Sequence, residues 1–230
     1  MTYLIGTDEA GYGPNLGPLV ISASVWEVPD GVRAEDLYRL LESGISPARA
    51  GTGRGAPSPC LVLADSKLVY QSGKGLAALE RGVLGALALL GQRPATWREV
   101  WGILAPEASE VLRDLPWHAG YDAPVPTEAD ADEIRMTAEH VAPGLRTAGV
   151  RLVGLRSRVI FEVEFNRLVE QYGSKGTVLS QATLELAVRS LAPLSSGPIS
   201  VLCDKHGGRN TYRQILSDWF PEALVEVYRE

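Results

Sequence analysis

The chain has 230 residues, of which 45% are hydrophobic and 22% are charged, and its formal net charge at pH 7 is −6. This length allows one large domain with a substantial core, and the composition is ordinary for a globular protein. The acidic balance argues against a protein that binds nucleic acid over its whole surface, although a local basic groove is still allowed.

Two further features of the sequence bear on its compartment. It contains no apolar run of transmembrane length, and Met1 leads directly into a predicted strand rather than into a signal segment. The two cysteines, Cys60 and Cys203, are far apart and lack the spacing of metal ligands. We therefore expect a cytoplasmic protein with reduced thiols and no membrane association.

The first part of the chain predicts two strands followed by helices. Residues 3–8 and 19–28 are rich in β-forming side chains and predict a strand pair. A short helix is predicted around residues 34–41, and the Gly, Ser and Pro content of residues 43–59 predicts a loop. Apolar residues at helical spacing predict a longer helix over residues 75–90.

Residues 92–148 contain further helical patterns. An amphipathic helix is predicted over residues 97–104, and Thr127-Glu128-Ala129-Asp130 resembles a capping box that starts a helix reaching His140. Core packing, rather than stacking on nucleic-acid bases, is predicted for three large aromatic residues, namely Trp97, Trp101 and Trp117.

The last part of the chain returns to alternating strands and helices. Residues 150–161 predict a strand, and residues 165–190 a helical region interrupted at 173–176. The apolar run 199–203 is typical of a buried central strand. Residues 212–219 have the spacing of an amphipathic helix, and 223–228 predict a final strand. This alternation indicates an α/β fold with a mixed sheet.

Three carboxylates follow predicted strands and are candidates for chemistry. Asp8 and Glu9 end the first strand, and Asp204 ends the apolar strand 199–203. Ligands of α/β sheets bind at the carboxyl ends of strands, so these acids can meet if the two strands are neighbours. Because neighbouring side chains of a strand point to opposite faces, the first strand must end or bulge between Asp8 and Glu9 for both to converge. A polar turn and a helix cap are the alternative interpretations.

A cluster of carboxylates predicts a metal site. Such a cluster repels itself by several kcal/mol at intermediate dielectric, so it requires protonation or a bound cation. Oxygen ligands without histidine or cysteine select Mg²⁺ or Mn²⁺ rather than zinc. These ions can activate a water and stabilise the leaving oxygen of a phosphodiester.

The string Gly6-Thr7-Asp8-Glu9-Ala10-Gly11-Tyr12-Gly13-Pro14, followed by Gly17-Pro18, resembles the N-terminal signature of the ribonuclease HII family. Weaker similarities follow in the family's order: Asp65-Ser66-Lys67-Leu68 resembles a segment near the substrate, Asn166 and Ser180–Ala187 resemble the helix before the third acid, and Val201–Asp204 resembles the strand that bears it. The resemblance implies a ribonuclease H-like mixed central sheet with flanking helices, in one domain spanning residues 1–230. Residues 92–148 match the family pattern least, and we interpret them as an insertion.

The resemblance also implies roles for individual residues. Asp8, Glu9 and Asp204 correspond to catalytic, metal-binding acids. Six residues correspond to substrate-binding positions, namely Gly11, Tyr12, Gly13, Ser66, Lys67 and Lys205. Three departures from the family pattern stand out. Tyr12 replaces an arginine, Lys205 replaces a glycine, and the fourth acid has no clear match, Glu230 being the better candidate and Glu226 the other. The family's closing helices have no match either, so we expect a member shortened at its C-terminus.

The function implied is metal-dependent cleavage of the RNA strand of RNA–DNA hybrids, or cleavage at ribonucleotides embedded in DNA, by a monomer that uses Mg²⁺ or Mn²⁺. The alternative is a catalytically impaired ribonuclease H-like protein that binds nucleic acid without cutting it. A third hypothesis, a phosphate-handling enzyme of the actin-like superfamily, depends only on the strand, Asp and Gly near the N-terminus. His206 follows Lys205 in a predicted loop, where a histidine is typically solvated.

Tyr12 generates a prediction about substrate choice. Tyrosine lacks the rigid fork of donors that arginine offers, so we expect slower cleavage at a single ribonucleotide in DNA than in a continuous hybrid. Substitution Tyr12→Arg should shift the ratio of the two cleavage rates toward the single ribonucleotide. An unchanged ratio would show that position 12 does not contact the ribose.

Overall fold

The computed structural model describes residues 1–10, 17–47, 60–70, 73–194, 196–206, 211–222 and 224. Six strands and the helices between them are assigned in these ranges, giving a mixed α/β protein with helices flanking a central sheet. The strands are β1 (Thr2–Ala10), β2 (Leu19–Val28), β3 (Ile45–Ser46), β4 (Leu61–Val62), β5 (Arg151–Ile160) and β6 (Ile199–Cys203). Among the described residues, no helix has the length and apolar character needed to cross a bilayer.

The helices alternate with the strands along the chain. A single 3-10 turn at Ala34–Asp36 precedes the first of them. The helices are α1 (Leu37–Leu40), α2 (Ser66–Val69), α3 (Ala77–Leu89), α4 (Trp97–Leu104), α5 (Ala108–Asp114), α6 (Ala131–Thr147), α7 (Glu162–Tyr172), α8 (Lys175–Leu191) and α9 (Arg213–Trp219).

Four strands form the central sheet in the order β5-β2-β1-β6, and β3 pairs with β4 in a separate parallel ladder. Cross-strand contacts show the strand directions. Ser22 bonds to Ser157 and Glu27 to Arg151, so residue numbers rise on β2 as they fall on β5, and these strands are antiparallel.

Strand β1 is antiparallel to one of its neighbours and parallel to the other. Thr2 bonds to Asp30 and Gly6 lies beside Ser24, which makes β1 antiparallel to β2. On its other side, the backbone N–H of Tyr3 donates to the carbonyl of Pro198, and the Thr7 hydroxyl donates to the carbonyl of Leu202. Residue numbers rise together in this pair, so β1 and β6 are parallel. The predicted mixed sheet is therefore confirmed.

The prediction that residues 199–203 form a buried central strand is wrong. Strand β6 is last in the sheet order, and its side chains are exposed, with Ile199, Val201 and Leu202 each more than 40% accessible. An apolar run is typical of a strand covered on both faces. Burial depends on the position of a strand in its sheet, however, and among the described strands β6 has only β1 beside it.

Most helices lie close to their predicted positions. The break predicted between residues 173 and 176 is confirmed: Gly173 ends α7 with a φ of 75°, and the Ser174 hydroxyl accepts a hydrogen bond from the backbone N–H of Thr177 to begin α8. The predicted start of the helix near Thr127 is wrong, because α6 begins at Ala131 with Asp130 as its cap. Residues 223 and 225–228 of the last predicted strand lie outside the described residues.

The chain divides into two compact units. One comprises Met1–Leu4, Val25–Leu155 and Gly197–Ser200, and the other Ile5–Ser24, Arg156–Ser196 and Val201–Glu230. We call these the first and the second unit, and each is described by itself.

In the first unit, helix α6 is part of the main apolar core. Its Val141 and Leu145 are one helical turn apart and are buried. They pack in a cluster that also contains Leu4, Val28, Leu41, Ile45, Leu61 and Val150. A second cluster joins α6 to α3 through Ile134, Leu84 and Leu87. Part of segment 92–148, which the sequence suggests is an insertion, therefore builds the core of this unit.

Two glutamates connect α3 to the segment before α6 by capping each other's backbone. The Glu80 carboxylate accepts hydrogen bonds from the backbone N–H groups of Thr127, Glu128 and Ala129 and from the Thr127 hydroxyl. In return, the Glu128 carboxylate accepts hydrogen bonds from the N–H groups of Leu76 and Ala77 at the start of α3. Partial burial by itself would raise the pKa of Glu80, but the bonds from Thr127, Ala129 and Glu128 outweigh it and lower that pKa.

Aromatic side chains between α4 and residue 121 pack around Trp97. Its ring stacks on His118 at 5.5 Å between centroids and meets the edges of Trp101 and Tyr121 at 5.7 and 5.2 Å. The prediction of core packing is wrong for Trp117, which is 64% exposed. Among these rings it contacts only that of His118, in an edge-to-face arrangement. Trp117 follows the end of α5 and so does not lie on α4, the helix that carries Trp97 and Trp101.

The second unit is built around α8. Buried apolar side chains of this helix include Val178, Leu179, Ala182, Leu186 and Ala187. Arg158, on β5, forms ion pairs with Glu164 of α7 and, at 3.7 Å, with Glu185 of α8. Arg189 holds Glu185 from the other side at 2.6 Å. These partly buried charges connect both helices to the strand.

Mutual capping predicts an acid-sensitive contribution from Glu80. Substitution Glu80→Gln should lower the free energy of unfolding at pH 7 by about 1 kcal/mol, a value reduced for the partial exposure of the carboxylate. Because the native pKa is lowered, the stabilisation is complete above the unfolded pKa, about 4.3, and is lost as the pH falls through the native pKa. Urea unfolding of both proteins should therefore show a difference that narrows below about pH 4.

Glu110→Gln is the matched control, since Glu110 is 84% exposed and its partner Arg113 lies 3.9 Å away. An equal, pH-independent loss in the two variants would contradict the capping role of Glu80.

Candidate active site

Asp8 and Glu9 lie within β1, which continues to Ala10. The strand does not end between these two acids, so the prediction that they converge because the strand ends there is wrong. Asp8 is exposed and Glu9 is partly buried, and alternation along a strand directs neighbouring side chains to opposite faces. The Asp8 carboxylate accepts a hydrogen bond of 2.9 Å from the backbone N–H of Glu9.

Asp204 directly follows β6, as predicted. The two strands that carry the acids are neighbours in the sheet, which is the condition for the acids to meet. Strands β1 and β6 are adjacent and parallel, and the Thr7 hydroxyl lies 3.4 Å from the carbonyl oxygen of Leu202. Because parallel strands end at the same edge of a sheet, the acids after Thr7 and the acid after Cys203 lie at one edge.

The pKa of the Cys203 thiol is affected by acids of both strands. The Cys203 side chain is exposed but partly desolvated by its neighbours, which is the largest cause that raises its pKa, and the negative charges of Asp204 and Glu9 raise it further. A carboxylate near a thiol disfavours the thiolate because like charges repel. Glu9 and Asp204 therefore act on one thiol from two strands, whereas Asp8 is not among the causes of that shift.

The residues that the structure describes contain no group of three or more His, Cys, Asp or Glu side chains placed to hold a metal ion. Glu9 and Asp204 are two carboxylates at the edge where β1 and β6 end. A pair suits Mg²⁺, which keeps several waters and is commonly bound by one or two carboxylates together with substrate phosphates. Glu230, the fourth acid expected from the resemblance, lies outside the described residues.

Lys205 is exposed beside Asp204, as a substrate-binding role requires, but the solvated position predicted for His206 is wrong. His206 is only 2% exposed. Its Nδ1 lies 3.2 Å from the Ser180 hydroxyl oxygen, its backbone N–H donates to the Tyr212 hydroxyl at 2.9 Å, and its ring meets the edge of the Tyr212 ring. Burial of a polar ring is allowed because its polar atoms find partners.

Sequence reasoning missed Ser180 and Tyr212 as parts of this site. In the sequence, Ser180 lies in the segment that resembles a ribonuclease HII helix, and Tyr212 begins the helical pattern 212–219. A buried serine flanked by Leu179 and Gln181 gives no local signal of its partner. Gln181 also bonds across helices, accepting from the Trp219 indole at 2.6 Å.

Ser66 and Lys67, predicted to bind substrate, lie in the first unit. Both are exposed and open the short helix α2, whose start is capped by the Asp65 carboxylate accepting from the backbone N–H of Lys67 at 2.8 Å. The other predicted substrate-binding residues, Gly11, Tyr12 and Gly13, lie outside the described residues.

No protein-family model, curated protein or solved structure matches the chain. Its function is therefore inferred from its own residues.

The two acids beside Cys203 predict how that thiol responds to substitution. In a Cys60→Ser background, Asp204→Asn and Glu9→Gln should each lower the pKa of Cys203, because each removes a charge that opposes the thiolate. The pH dependence of alkylation by iodoacetamide should then shift to lower pH. Asp8→Asn is the matched control. If it shifts the pH dependence of alkylation as much as Glu9→Gln does, the conclusion that Glu9 rather than Asp8 affects the Cys203 thiol is contradicted.

Proposed function

We propose that this chain is a ribonuclease H-like endonuclease that cleaves the RNA strand of RNA–DNA hybrids. The observation that carries the proposal is the parallel pairing of β1 with β6, which brings the strand ends that bear Glu9 and Asp204 to one edge of a mixed sheet. Both acids belong to the segments that resemble ribonuclease HII, and the similarity of those segments supports the same assignment.

Glu9 and Asp204 would hold a divalent cation at this edge. When bound, Mg²⁺ or Mn²⁺ supplies charge stabilisation for the phosphodiester and lowers the pKa of a bound water. The two carboxylates would fix the position of that ion, and the parallel pairing of β1 with β6 restrains the strand ends that carry them. Asp8 is exposed at the neighbouring position, and the resemblance to ribonuclease HII suggests that it also takes part in catalysis.

Lys205 supplies the opposite charge. It is exposed directly after Asp204, where an ammonium can contact a phosphate of the bound strand. A local cation matters in a chain of net charge −6, because phosphate contacts dominate the affinity of proteins for nucleic acid. Ser66 and Lys67 are further candidates for contacts with the nucleic-acid backbone.

Cleavage of an end-labelled RNA–DNA hybrid with Mg²⁺ or Mn²⁺ tests the proposal. Asp204→Asn and Glu9→Gln should each lower kcat by about 100-fold or more, as expected when a charged group at the reacting phosphate is lost. Asp8→Asn should also lower kcat strongly. Lys205→Ala should instead weaken binding of the hybrid and make the binding affinity less dependent on salt concentration.

Asp114→Asn serves as the control, since Asp114 is an exposed acid at the end of α5. Its activity should equal that of the unsubstituted chain. Products formed by Asp204→Asn at an undiminished rate would contradict the proposal, as would the absence of any cleavage with either metal.

One observation favours the alternative, a ribonuclease H-like protein that binds nucleic acid without cutting it. Strand β1 continues through Glu9, so Asp8 and Glu9 do not converge as three metal-binding acids would require. A gel-shift assay separates the alternatives: hybrid binding that is independent of metal and yields no products supports the binding protein.

A further inference from the structure

A buried set of polar contacts holds the residues that follow Asp204. His206 is almost fully buried, and it contacts two elements at once. Its ring contacts Ser180 of α8, and its backbone N–H donates to the hydroxyl of Tyr212, the residue that precedes α9. We call His206, Ser180 and Tyr212 the clasp.

The direction of the hydrogen bonds within the clasp follows from Ser180. Its hydroxyl donates to the carbonyl of Gly176 at 2.9 Å, which leaves the oxygen to accept from Nδ1–H of His206 at 3.2 Å. Ser180 is completely buried. A serine that donates to its own helix and is closed off from solvent is unsuited to act as a nucleophile, so the pair is not a catalytic dyad.

We propose that the clasp positions Asp204 and Lys205 for the site at the edge of β1 and β6, with His206 as the positioning residue. Only Lys205 separates His206 from Asp204, so anchoring His206 restricts the backbone of both residues. Strand β6 ends at Cys203, so the contacts of His206 hold the backbone just beyond the strand.

The energetic case depends on burial. A buried polar group that loses its hydrogen-bond partner is destabilising, so loss of one contact of the clasp favours conformations in which the segment moves. A carboxylate displaced by about 1 Å binds a cation and aligns a substrate less well, which can cost about 100-fold in rate. Loss of a clasp contact should therefore lower cation affinity and the cleavage rate more than it lowers the free energy of unfolding.

Three substitutions test the clasp. Tyr212→Phe removes only the hydroxyl that accepts from the His206 N–H. His206→Ala removes the ring, and His206→Asn restores an amide N–H at the same number of bonds from Cα as Nδ1. Tyr38→Phe is the matched control, because it also deletes one hydroxyl, which donates to the carbonyl of Leu63 at 2.7 Å in the first unit.

The proposal rests on the proposed function, so two measurements independent of cleavage accompany kcat and KM. One is Mn²⁺ affinity by calorimetry, and the other is the alkylation rate of Cys203 at a fixed pH in the Cys60→Ser background. We expect Tyr212→Phe and His206→Ala to weaken Mn²⁺ binding about 3- to 10-fold, to lower kcat more than they change KM, and to speed alkylation. His206→Asn should recover most of the loss.

A double-mutant cycle with Asp204→Asn distinguishes positioning from loosening of the structure. If the clasp acts through Asp204, Tyr212→Phe should change Mn²⁺ affinity and alkylation little once Asp204 is asparagine. Equal effects with and without the Asp204 carboxylate would overturn the proposal, as would an alkylation rate unchanged from that of Tyr38→Phe. An inactive chain that still shows the expected alkylation and Mn²⁺ effects would refute the nuclease and leave the clasp intact.

Discussion

The parallel pairing of β1 with β6 is the constraint on which the candidate site depends. The chain leaves β1 at residue 10 and returns to form β6 at residue 199, so only sheet pairing brings Glu9 and Asp204 to one edge. Because the strands run in the same direction, their carboxyl ends coincide. An antiparallel arrangement would have placed the acids at opposite ends of the pair.

A second constraint acts within the first unit, where each of two carboxylates caps the backbone of the other's segment. Glu80 satisfies the N–H groups before α6, and Glu128 satisfies those at the start of α3. Backbone donors at helix starts lack partners within the helix, so each glutamate meets a need that its own segment cannot meet. Segment 92–148 is thereby joined to α3 by polar contacts as well as by the core around Ile134.

Much of the local structure could be predicted from the sequence. The break between α7 and α8 follows from Gly173 and Ser174, because left-handed backbone and side-chain capping are properties of those residue types. The position of Asp204 directly after a strand also followed from the apolar run before it. The meeting of Glu9 and Asp204 could be inferred only conditionally, since strand order is not written in local sequence.

The remaining features depend on tertiary context. The apolar side chains of β6 give the pattern of a central strand, but the pattern contains no information about how many neighbours the strand has. His206 resembles a solvated loop residue because its partner Ser180 is 26 positions away. Likewise, Thr127 has the capping signature, but its N–H and hydroxyl bond to Glu80, and Asp130 caps the helix instead.

The central claim is that Glu9 and Asp204 together bind a divalent cation at the edge of β1 and β6. Anomalous diffraction from crystals grown with Mn²⁺ is the most direct test, because it locates the ion independently of any assay. We expect a peak within about 2.1 Å of a carboxylate oxygen from each of these two residues, the distance typical of Mg²⁺ sites, which Mn²⁺ commonly occupies. A peak at other residues, or no peak at saturating Mn²⁺, would contradict the account.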